Sequence, residues 1–106
     1  MDEFDRRVAR QLGRRVRRRR HFLDLSQETL AYRAGIHRTQ ISFYESGDRM
    51  PLTATLVRLA AALEVSTDQL LAGVEWEVPG PRLGDAAEEA RNPDVEPPDE
   101  ADDART

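Results

Sequence analysis

A chain of 106 residues has room for one small domain, and its apolar residues thin out after Trp76. It contains no cysteine, which excludes a disulfide framework, thiol chemistry and a cysteine metal site, and no 18-residue apolar run, which excludes a membrane-spanning helix. The formal net charge of -4 conceals an asymmetry: residues 1–72 carry thirteen arginines against nine carboxylates, and residues 73–106 carry three against eleven, so the segments stand near +4 and -8. A cationic first segment fits a polyanionic partner. The opening MDEFDRR lacks the apolar stretch of a secretory leader, so a reducing cytoplasm is the expected compartment.

The first predicted helix covers about residues 4–22, where Phe4, Val8, Leu12, Val16 and Leu23 recur at three- and four-residue steps and Arg20 continues the same stripe. The run Arg17–Arg20 cannot all face one way on a helix, so part of it is solvent-facing while Arg20 lies near the buried side. Ser26 is a good N-cap for a second helix at 27–34, which Gly35 ends. A third helix at 38–46 stops at Gly47. A fourth at about 53–63 carries a stripe of Leu56, Leu59, Ala60 and Leu63, and Ser66 with Gln69 makes a capping box for a short fifth helix at 67–71. The run VEWEV alternates but has no visible partner strand. The expected fold is therefore all-α with five helices in residues 1–73, a short hydrophobic extension at 74–78 and a disordered, acidic, proline-rich tail at 79–106.

The stretch from Ser26 to Gly47 is the most informative. Leu30, Ala31, Ala34, Ile36, Ile41 and Tyr44 fall where two short helices crossing steeply would pack, which leaves Arg38, Thr39, Ser42 and Phe43 on the outer face of the second. A helix presented this way fits the major groove of DNA. Arg38 can donate as a fork to guanine, the commonest specific base contact. Thr39, Ser42 and Gln40 are further base-contact candidates, although Gln40 also sits where a side chain can cap its own helix. Phe43 could touch a thymine methyl group or mark a surface for a protein. Of Arg14, Arg17 and Arg18, one or two are expected near phosphates, and Arg49 in the turn after the third helix has a similar role. His21 and His37 lie on different elements without metal-ligand spacing, the serines read as caps or surface residues, and there is no glycine-rich phosphate loop, so no catalytic site, metal or cofactor is expected.

SQETLAYRAGI, RTQISFYESG, the single Pro51 before the fourth helix and LVRLAAALEVSTDQLL, in this order, resemble the Cro/CI-type helix-turn-helix proteins, the xenobiotic-response-element-like regulators, from about Leu12 to Leu71. The resemblance implies a lambda-repressor-like domain and a sequence-specific, double-stranded-DNA-binding transcriptional regulator that acts as a repressor. It also implies that Gln27 bonds a backbone phosphate, that Arg38 and Thr39 open the recognition helix, and that Arg20 and Glu45 form a largely buried ion pair. It implies a homodimer joined through the last helices, for which Leu70, Leu71, Val74 and Trp76 are the candidate contacts. The chain departs from the family pattern at Asp24 and Glu64, where glycine is usual, at Arg19, usually apolar, and at His37, where Ser or Thr usually caps. Leu52 likewise stands at the usual cap site of the fourth helix. The competing function is a protein-interaction module, such as an antitoxin or the partner of another regulator, with the acidic tail binding a protein, competing with DNA for the arginines, or serving only solubility.

Overall fold

The computed structural model describes residues 1–81. The expected disorder of the tail concerns residues almost all outside that range. Five α-helices follow in order: α1 (Glu3–Phe22), α2 (Gln27–Ala34), α3 (Arg38–Ser46), α4 (Thr53–Ala62) and α5 (Thr67–Leu70). Among the described residues there is no strand, and residues 74–78 are irregular. The chain divides into two units, Met1–Glu75, which holds every helix among the described residues, and Trp76–Thr106.

Each helix starts and stops for a local reason. Asp2 caps α1 by accepting from the Asp5 backbone N–H at 2.8 Å, and Glu3 and Asp5 at one end with Arg19 and Arg20 at the other complement the helix dipole. Ser26 caps α2 through the Thr29 N–H at 3.0 Å. Gly35 and Gly47 end α2 and α3 in the left-handed region, at φ 69° and 79°. The Ser66–Gln69 capping box is present in both directions. Leu52 precedes α4 without a side-chain cap bond.

α1 packs on α3 and α5, α2 on α3 and α4, and α4 on α5. Val16, Leu30, Ile41, Leu59 and Leu63 are fully buried at the centre. At the α1–α3 crossing stands Gly13, which the apolar periodicity does not single out. A Cβ there would lie 2.2 Å from the Tyr44 carbonyl oxygen, a backbone atom, so only glycine admits this approach.

The other side of α1 carries polar side chains at four-residue spacing that reach the later elements. Gln11 donates to the Ala72 carbonyl at 3.4 Å, Arg15 to Leu70 at 3.1 Å and Arg19 Nε to Leu63 at 2.9 Å. These bonds satisfy carbonyls at the ends of α4 and α5 that have no partner within their own helices. Leu70 is 2% exposed and belongs to this core. That corrects its expected role as a dimer contact, because a side chain enclosed by its own protomer offers nothing to a second one.

Candidate nucleic-acid interface

α2 and α3 form a helix pair whose inner sides meet through Leu30, Ala31, Ala34, Ile41 and Tyr44. On the outside, Arg38, Thr39 and Ser42 are exposed, while Phe43 and Gln40 are half-buried. Arg38 has no ion-pair partner among the described residues, so its guanidinium is available.

At the start of α3, His37 caps the helix although Ser or Thr is usual there. Its Nδ1 accepts from the Thr39 backbone N–H at 3.1 Å, so the imidazole performs the task of the usual hydroxyl. The ring proton then sits on Nε2. No side-chain cap from Gln40 accompanies it; the Gln40 backbone N–H donates to the His37 carbonyl at 3.0 Å.

Behind the exposed face, Arg20 and Glu45 form the expected ion pair. Arg20 Nε donates to Glu45 Oε2 at 2.6 Å and Nη2 to Oε1 at 2.9 Å, giving a two-pronged contact with the two side chains 11% and 5% exposed. Arg20 Nη1 also donates to the Leu25 carbonyl at 2.9 Å. The hydrogen bond to Glu45 holds the Arg20 pKa above its ordinary value, outweighing the opposing effect of burial.

Gln27 joins this pair. Its Nε2 donates to Glu45 Oε1 at 3.2 Å, so one amide hydrogen is held by the carboxylate and the other is left for a second acceptor. An open cleft of about 270 Å³ lies here, lined by Arg17, Arg20, Gln27, Ser42, Glu45 and Ser46. Arg17 thus lies beside Gln27 and the outer turn of α3. Arg18 does not. It lines a separate cleft of about 340 Å³ with Arg15, Arg19, Phe22, Val65 and Gln69. Arg14 is exposed on α1. Arg49 has its guanidinium 4.2 Å from the centroid of the Phe43 ring, so the two side chains form one unit.

Residues 16–70, just over half the chain, match the helix-turn-helix family. The chain belongs to the helix-turn-helix family. Its matches place it among the Cro/CI-type members. An uncharacterized transcriptional regulator in the ATPase CF(0) region of Rhodospirillum rubrum is 42% identical over 64 residues, covering 60% of this chain and 59% of that protein. The chain thus spans about six tenths of that relative's length. Among solved structures, the restriction-modification controller protein C.AhdI from Aeromonas hydrophila is 34% identical with a TM-score of 0.57, covering 58% of this chain and 94% of that one. The P22 c2 repressor in complex with a synthetic operator is 35% identical with a TM-score of 0.56, at the same coverages. By their names the three are a transcriptional regulator, a controller protein and a repressor.

Two features of this helix-turn-helix site carry weak sequence signals. The Phe43–Arg49 stack joins residues six apart across a turn, and the Gln27–Glu45 bond joins residues on different helices. The sorting of Arg17 from Arg18 needed only the 100° step of a helix together with the known position of Arg20.

Proposed function

We propose that this chain is a sequence-specific, double-stranded-DNA-binding transcriptional regulator that represses by occupying a promoter. The observation that carries it is the exposed Arg38 and Thr39 at the start of α3, with the Gln27 amide and Arg17 gathered beside Ser42 and Ser46 farther along the same helix. α3 enters the major groove, Arg38 reads a guanine, and Gln27, Arg17 and the first N–H groups of α2 grip a phosphate. The operator complex of the similar P22 c2 repressor supports this docking. A regulator of chromosomal promoters works in the cytoplasm, where we place the protein.

A single helix-turn-helix module reads few base pairs, so we further propose a homodimer on a pseudo-palindrome with half-sites about one helical turn apart. Leu71 and Val74 are half-buried and Trp76 is exposed, which leaves these three as the candidate contacts.

Selection of bound sequences from random duplex DNA tests the reading. The expected product is a two-fold-related motif containing a guanine. Arg38→Ala weakens binding by about 1–3 kcal/mol and relaxes the choice at that guanine. Gln27→Ala weakens all duplexes alike. If folded protein enriched no motif, the protein-interaction reading would take its place; the aromatic ring of Phe43 on the outer side of α3 is the observation that favours it.

A further inference from the structure

The sequence assigns Phe43 and Arg49 separate tasks, one at a base and one at a phosphate, whereas the structure makes them a single element. The Phe43 carbonyl accepts from the Asp48 N–H at 3.0 Å, from the Arg49 N–H at 3.3 Å and from Ser46 Oγ at 3.1 Å. These bonds fold the turn after α3 back onto Phe43 and deliver the Arg49 guanidinium to the ring, 4.2 Å from its centroid. One turn earlier on the same side of α3 is Thr39, exposed, with its γ-methyl group.

A phenyl ring has no hydrogen bond to offer a base edge. The apolar feature that a major groove presents is the 5-methyl group of thymine. Thr39, Ser42 and Ser46 flank Phe43 along α3 and a guanidinium covers part of the ring, so the apolar surface left open is small, which favours a single methyl group over a protein surface. We propose that Thr39 and Phe43 form a methyl-reading strip for one thymine in each half-site, with Arg49 as the positioning residue that holds the ring. The inference rests on the DNA-binding reading above and deepens it. Phe43 follows Arg38 by five residues, a rise of about 7.5 Å, so the thymine lies within about two base pairs of the guanine that Arg38 reads.

The test uses the full chain and the operator obtained by selection. Each thymine is replaced singly by deoxyuridine, which keeps every hydrogen-bonding group and removes only the methyl. We expect one position per half-site at which the replacement weakens binding about four-fold, the value of one buried methyl group. Phe43→Ala should bind the thymine and uracil probes equally. Arg49→Ala should also bring their ratio toward one, because the ring is released. An equal loss on both probes with the ratio intact would make Arg49 an ordinary phosphate contact and overturn its positioning role. A selected operator insensitive to every uracil replacement would overturn the methyl-reading strip while leaving DNA binding in place. Failure to select any motif would sink the DNA-binding reading and this inference with it.

Discussion

Arg20 is 9% exposed yet lacks nothing a guanidinium needs. Two of its nitrogens grip Glu45, a third reaches the Leu25 carbonyl, and Nη2 lies 3.3 Å from His21 Nε2, which must accept because arginine only donates. Such a pair need not add net stability over an apolar replacement, but removing one member strands the other in a poorly solvated place. Glu45→Ala is therefore expected to cost about 3–5 kcal/mol in urea unfolding, with Glu45→Gln intermediate because an acceptor for Arg20 and Gln27 survives. A loss below about 1 kcal/mol for the alanine variant would mean that water reaches Arg20 and that the pair does not hold α1 to α3. The pair was legible in the sequence because both residues fall on core-facing stripes and match a family position. The attachment of Gln27 to the same carboxylate was not, because helix periodicity places a side chain on a face without saying which neighbour across the crossing it meets.

At the level of the helices, two departures from the family pattern explain one another. Glu64 adopts φ 59°, where glycine is usual and a side chain costs about 1–2 kcal/mol. Its carboxylate pairs with Arg33 at 3.0 Å, but side-chain exposures of 38% and 59% limit that bond to a modest contribution. The firmer anchor is Arg19, which donates to the Leu63 carbonyl at 2.9 Å and lies 3.5 Å from the Glu64 carbonyl. An arginine in place of the usual apolar residue thus secures the corner between α4 and α5. Arg19→Ala should destabilise the domain by about 1–2 kcal/mol in urea unfolding, the cost of leaving the partly buried Leu63 carbonyl without this donor. A change within about 0.5 kcal/mol would show that water serves that carbonyl equally well. Helix limits were readable to within a residue because Ser26, Gly35, Gly47 and the Ser66–Gln69 box are local signals. Gly13 was not, since its necessity comes from the Tyr44 carbonyl 31 positions away in sequence.

For the whole molecule, the decisive property is that the proposed DNA site is carried by a chain of net charge -4. Residues 1–72 stand near +4 and residues 73–106 near -8, so the potential that draws a duplex to α2 and α3 is opposed by charge tethered to the same protein. The opposition is long-range and screened, with a Debye length of about 30 Å at 0.01 M salt and about 8 Å at 0.15 M. Removing residues 79–106 leaves the unit Met1–Glu75, with all five helices and its core, intact. The shortened protein should therefore bind non-specific duplex more tightly than the full chain at low salt, and the advantage should shrink as salt rises. Both proteins should lose affinity with salt as counterions released by the arginines are replaced. Titration of a labelled random duplex at several ionic strengths measures both trends. Equal affinities at low salt would show that the acidic segment does not act on the DNA-binding surface, and its role would then lie in solubility or in contact with a protein. A gain that persisted unchanged at high salt would instead indicate a screening-resistant contact rather than long-range repulsion.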